Sequence, residues 1–72
     1  MILKWRLFLF PETTATIRNN GKLAVEVRYF KVNFPEVIEP GDEIILTVAT
    51  SEEAAYYKAQ ENAELGIVVT LA

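Results

Sequence analysis

The side chains able to do chemistry form two groups: carboxylates in close pairs, and basic residues interleaved with aromatics. The pairs are Glu36 with Glu39, Asp42 with Glu43, Glu52 with Glu53, and Glu61 with Glu64. Acid–base or glycosidic work needs two carboxylates facing one cleft with separated pKa values, and a 72-residue chain has little room for such a cleft. The acidic connection (Glu36, Glu39, Asp42, Glu43) offers oxygen ligands to a hard cation, but without the regular spacing of a calcium loop. Ser51 is the one serine, and its place before two glutamates is explained by helix capping. There is no His and no Cys, which removes imidazole catalysis, thiol nucleophiles, disulfides and the usual zinc sets. Neither "GDEI" nor "NNGK" matches a phosphate-binding glycine loop. The expectation is a protein that is not an enzyme and uses no cofactor and no metal.

The second group is Lys4, Arg6, Phe8 and Phe10 on one strand face, and Arg28 with Phe30 on another. If the two faces adjoin, cations can follow phosphates while rings stack on bases, as single-stranded nucleic acid requires. Lys4, Arg6, Arg28 and Phe30 are therefore the candidate nucleic-acid face. Two observations oppose it. The chain is acidic overall, at −3. The three phenylalanines also stand where a tightly bent sheet would need core residues, and Phe30 is expected to be buried.

Charge is divided unevenly. Residues 1–31 carry six basic and two acidic side chains and residues 32–72 carry one and eight, so the halves stand at +4 and −7. Such a split suits a basic binding face or complementary ends of a self-assembling subunit.

The elements that must position these groups read as follows. Residues 2–10 alternate as a strand, with Leu3, Trp5, Leu7 and Leu9 on one face and Trp5 as a core anchor. This run is too short and too charged for a transmembrane span or signal peptide, so a cytoplasmic protein with no membrane contact is expected. Residues 13–18 form a second strand. A three-residue loop, Asn19-Asn20-Gly21, then pairs Ile17 with Leu23, Ala15 with Val25 and Thr13 with Val27, which keeps one face dry. The strand from Lys22 runs to about Phe34. Its apolar face changes phase at Tyr29-Phe30, which predicts a bend or bulge there.

Pro40-Gly41 signals a type II turn. The strand that follows has Ile44, Leu46 and Val48 on one face and Ile45, Thr47 and Ala49 on the other. Two apolar faces suggest an interior strand or an interface strand. Thr50 and Glu53 fit a capping box that starts a helix, and Gly66 reads as its C-terminal cap. Spacing places Ala55, Ala59 and Ala63 in a row suited to close packing on a sheet. A second row, Tyr57, Glu61 and Leu65, points elsewhere and is the candidate protein interface. Residues 67–71 form a last strand.

The stretch "EPGDEIILTV" resembles the Gly-Asp turn and following strand of many small OB-type barrels, including bacterial initiation-factor-one-like proteins. The resemblance covers residues 39–48 and implies nucleic-acid binding. The element order differs, because here the helix follows the fourth strand, whereas in OB barrels it usually precedes it.

The fold expected over residues 1–72, as a single domain, is a β-dominated α+β structure. It is a small partly open barrel or strongly bent antiparallel sheet, ordered β-β-β-β-α-β, with one helix over about residues 51–65 packed on the sheet. The function expected is a non-catalytic binding or assembly module. It acts through protein–protein contacts with itself, as a homo-oligomer, or with another protein. The alternative is a single-stranded nucleic-acid-binding small β-barrel.

Overall fold

A computed structural model describes residues 13–72. Strands β1 (Thr13–Asn19), β2 (Val25–Arg28), β3 (Pro35–Ile38) and β4 (Glu43–Val48) precede helix α1 (Ser51–Lys58), and β5 (Ile67–Leu71) follows it. The fold is thus β-dominated with one helix, in the expected order and with antiparallel pairing throughout. The strands make two sheets, a three-stranded one ordered β4-β1-β5 and the hairpin β2-β3, and the described residues do not close into a barrel. The strand expected over residues 2–10, with Trp5, lies outside the described residues.

The core fills the space between one sheet face, the hairpin and the helix. Ala15 and Ile17 of β1, Val48 of β4, and Ile67 and Val69 of β5 line the sheet face. Val27, Ile38 and Tyr57 close over them from β2, β3 and α1. The opposite face of the sheet carries Thr14, Thr16 and Arg18 between Glu43, Ile45 and Thr47 on one side and Val68 and Thr70 on the other.

Three expectations are corrected. First, β1 does not pair with the segment after it. It pairs with β4 and β5 on its two sides, and Leu23, expected opposite Ile17, is 69% exposed. Asn19 is the physical reason. It is fully buried, its amide nitrogen donates to the carbonyls of Leu23 and Ile38 (both 2.8 Å), and its side-chain oxygen accepts from the Gly21 N–H (2.8 Å). That bond to Gly21 is an Asx turn, which leads the chain out of the sheet instead of reversing it. As the middle strand, β1 gains apolar neighbours on both sides, which a local hairpin would not supply.

Second, of the long strand expected over residues 22–34 only β2 (Val25–Arg28) forms, and a further strand, β3, begins at Pro35 in what reads in the sequence as a connection. At the phase change the chain reverses: Val32 N–H donates to the Tyr29 carbonyl (3.2 Å), and Lys31 takes a φ of 61°. The predicted location is right, but the bend is a full hairpin. Phe30 is half-buried there, its ring packed edge-on against Tyr56 with centroids 5.4 Å apart.

Third, the helix ends at Lys58 and does not extend to residue 65. Asn62 and Ile67 exchange main-chain bonds (2.9 and 2.8 Å) around a tight turn, and the Asn62 side chain accepts from the Leu65 N–H (3.0 Å). Gly66 has the positive φ expected of it, 79°, but in this turn and not as a helix cap. A side chain at Gly66 would strike the backbone of Gly21, so the two loops can abut only with glycine at both places. The helix also faces the core with Tyr57 and Ala54, leaving Ala55 and Ala59 exposed, because the Tyr57 ring hides far more apolar area than an alanine row.

The helix start follows the expectation. Thr50 accepts from the Glu53 N–H (3.1 Å), and the Glu53 carboxylate accepts from the Ala49 N–H (2.6 Å). The turn before β4 does too: Asp42 N–H donates to the Glu39 carbonyl (3.0 Å) with Gly41 at φ 88°, as a type II turn requires. Among the described residues the strand after this turn is an edge strand of an open sheet.

Candidate functional site

An edge strand presents a row of main-chain donors and acceptors, so each edge raises the question of what satisfies it. In an antiparallel sheet, alternate residues bond to one neighbour and then the other. On β1 the alternation is fixed at both ends. Asn19 N–H donates to the Asp42 carbonyl (3.0 Å) and the Asn19 carbonyl accepts from Gly41 N–H (2.7 Å), so odd-numbered β1 residues bond towards β4. Thr14 and Ala72 exchange bonds (3.3 and 2.9 Å), and Asn20 donates to the Gly66 carbonyl (2.8 Å), so even-numbered residues bond towards β5.

The register then decides which groups point outward. Ile44 and Leu46 lie opposite Ile17 and Ala15 and bond to β1. Glu43, Ile45 and Thr47 therefore turn their N–H and C=O groups away from the sheet. Among the described residues nothing bonds to them. Ile45 is also 62% exposed, on the outer face beside Thr16. On the inner face of the same strand Ile44 and Leu46 are half-buried. Beyond Thr47 the free row stops, since the next outward N–H, at Ala49, is taken by Glu53.

The β5 edge is built differently. Ile67 has its outward groups paired with Asn62. At Val69 two side chains, one from the last residue of the helix and one from the turn after it, close the gap: Lys58 Nζ donates to the carbonyl (2.9 Å) and the N–H donates to Glu61 Oε2 (3.1 Å). Lys58 and Glu61 also pair with each other at 3.1 Å. The Val69 N–H, and after it Lys58, hold the Glu61 carboxyl below its ordinary value. The small sheet is protected at the end where β2 leaves and β3 begins. Gln60 bonds both main-chain groups of Arg28 (2.7 and 2.8 Å), and β3 begins at Pro35, which has no N–H.

The residues singled out in the sequence fall as follows. Tyr57 is 6% exposed, with its hydroxyl accepting from the Phe30 N–H (2.9 Å), so it belongs to the core and not to a surface row. Glu61 is occupied at Val69. Leu65 lies apart from both, on a cleft of about 420 Å³ between residues 20–23 and 63–66 that Leu23 also lines. The row Tyr57-Glu61-Leu65 therefore does not exist as one surface. Helical spacing predicts it, but the helix ends at Lys58.

Lys4 and Arg6 lie outside the described residues. Arg28 is exposed, while Phe30 is packed on Tyr56 with Lys31 Nζ 5.4 Å from its ring centre, so no open stacking platform forms at that pair. Among the described residues no group of three or more acidic side chains converges, and the connection from Glu36 to Glu43 is spread along β3 and a turn. Burial, with the Glu36 carboxylate alongside, pushes the Tyr29 phenol above its ordinary value. Among the described residues no helix is long and apolar enough to cross a membrane.

Sequence reasoning left out Glu43, Ile45 and Thr47 as site residues. The available signal was the two apolar faces of their strand, which allowed either an interior or an interface position. Comparison of the chain with protein-family models, curated proteins and solved structures finds no match in any of the three.

Proposed function

We propose that the protein is a non-catalytic binding and assembly module that acts through protein–protein contact, by accepting an added strand at β4. One observation carries this reading: β4 offers three consecutive outward main-chain positions, at Glu43, Ile45 and Thr47, while β5 has its outward groups at Ile67 and Val69 bonded within the chain. Strand addition derives affinity from main-chain bonds and specificity from the side chains on either side of the pleat. Here those flanking side chains are Ile45 outside and Ile44 and Leu46 inside. A cytoplasmic setting belongs to the same reading, on the lack of cysteine.

The test is a substitution that blocks the edge without touching the fold. Thr47→Pro removes an outward N–H and places a ring in the path of an incoming strand. The parent chain is expected to associate with protein and the variant to lose that association with its circular dichroism unchanged. Salt-sensitive oligonucleotide binding by the parent, kept in Thr47→Pro and with no protein association in either, would replace this reading with the nucleic-acid one.

A further inference from the structure

We infer that the strand accepted at β4 is β4 of a second copy, set antiparallel about a twofold axis at Ile45. This rests on the strand-addition reading above and names its partner. The free positions Glu43, Ile45 and Thr47 are symmetric about Ile45, and an antiparallel partner must meet outward groups with outward groups. A second β4 turned end for end does so at all three. Ile45 faces its own counterpart, and Glu43 faces Thr47 in both directions, giving on the order of six main-chain hydrogen bonds.

Neighbouring registers fail on bonds already made. Centring on Leu46 would set Glu43 against Ala49, whose N–H is held by Glu53. Centring on Ile44 would set Thr47 against Gly41, whose N–H is held by the Asn19 carbonyl.

The side chains agree with the Ile45 register. On the outer face the two Ile45 side chains cover each other, removing the most exposed apolar group of the sheet. On the inner face Ile44 meets Leu46, and both are half-buried at the rim of the core, with area left for a neighbour to cover. Glu43 meets a threonine and not a second carboxylate, and it keeps its bond to Arg18 at 3.0 Å. The product is a six-stranded sheet ordered β5-β1-β4-β4-β1-β5. Its two outer edges are bonded at Ile67 and Val69 by Asn62, Lys58 and Glu61 and leave only the single outward position Leu71, so growth beyond two copies is disfavoured and the twofold interface closes the assembly.

The chain has no cysteine, so single cysteines introduced into the full chain report the register directly. A hydrogen-bonded antiparallel pair sets Cα atoms about 5.5 Å apart, within disulfide range. The parent is expected to sediment as a dimer. Ile45→Cys is expected to form a covalent dimer on mild oxidation. Glu43→Cys and Thr47→Cys are expected to link only when mixed with each other. Val68→Cys, on the same outer face but away from the edge, is expected to stay unlinked.

A dimer in which Ile45→Cys does not link, or in which Thr47→Cys links to itself, overturns this register. A strict monomer at high concentration overturns the second copy as partner, and amide exchange then separates the two levels of the argument. If Glu43, Ile45 and Thr47 amides are protected in that monomer, β4 still accepts a strand and its source is the chain itself. If they exchange freely in a monomer that also binds no protein, the strand-addition reading fails with it.

Discussion

Along β5, the outward main-chain groups of Ile67 and Val69 are held by Asn62, Lys58 and Glu61. Along β4, those of Glu43, Ile45 and Thr47 are held by nothing among the described residues. Both strands flank β1, both are rich in branched apolar residues, and both bury one face. An unguarded strand edge invites pairing with another chain, and proteins blunt such edges with charge, proline or covering segments. This chain uses those devices on β2, β3 and β5. The difference teaches that the means to close an edge are present in the molecule, and that among the described residues they act at Arg28, Pro35, Ile67 and Val69 but at no outward position from Glu43 to Thr47.

The largest effect is expected where the guarding helix is seated. Tyr57→Ala empties the centre of the core and releases the Phe30 N–H, and it should cost about 3–5 kcal/mol in urea denaturation. The Val69 clamp should loosen with it, since Lys58 is the next residue on α1. Asn19→Ala comes next. It leaves the buried carbonyl of Ile38 and the Gly21 N–H short of a partner and should cost about 2–3 kcal/mol. It tests whether the two sheets are pinned together at that side chain, and equal stability of variant and parent would break the account of why β1 does not form the local hairpin.

Glu61→Ala makes the two edges more alike by freeing the Val69 N–H. The Val69 amide should exchange faster, and oligomers larger than a dimer should begin to appear in sedimentation because β5 then offers free groups at Val69 and Leu71 while Ile67 stays bonded to Asn62. Acid should do the same in the parent. The folded carboxyl titrates below its ordinary value, so its contribution is fully present above the usual carboxylate range and is lost as pH falls through the depressed folded value. Val69 exchange, corrected for intrinsic pH dependence, should therefore stay slow through the ordinary carboxylate range and rise only below it.

Thr47→Pro should cost on the order of 1 kcal/mol, because the lost N–H points outward and only the φ restriction within the strand opposes folding. Its main effect is on association, which it abolishes. The smallest effect is that of salt. The Ile45-centred pairing brings Asp42 and Glu43 of one copy near Glu53 of the other, so added salt should strengthen the dimer modestly by screening that repulsion.

Much of the local structure is legible in the sequence because it depends on neighbours in the chain. The Thr50–Glu53 cap, the turn at Pro40-Gly41, and the strands beginning near residues 13, 43 and 67 follow from side-chain type and short spacing. Pairing is not legible in that way. Alternation states which face of a strand is dry, and Ile17 is dry beside Leu23 or beside Ile44 and Val69 alike. The choice is made by the inward Asn19 amide, whose partners lie as far off as Ile38.

The helix misleads for a related reason. Its apolar residues are spread around the axis and not gathered into one stripe, so spacing alone does not say whether Tyr57 or the alanine row faces inward. The candidate site was half legible. The two apolar faces of β4 marked it as an interior or interface strand, but its place at a sheet edge depends on which strands flank β1. The clamp on the other edge joins Lys58 and Glu61 to Val69 across a turn, and no sequence pattern encodes that.

The central claim compares two amides in one molecule, so hydrogen exchange at Ile45 and Val69 across a range of protein concentrations tests it most directly. The Val69 amide, bonded to Glu61, should be protected at every concentration. The Ile45 amide should exchange freely when the protein is dilute and become protected as it is concentrated. Ile45 protection that does not depend on concentration, or Ile45 exchange that stays fast at the highest concentration, would contradict the account.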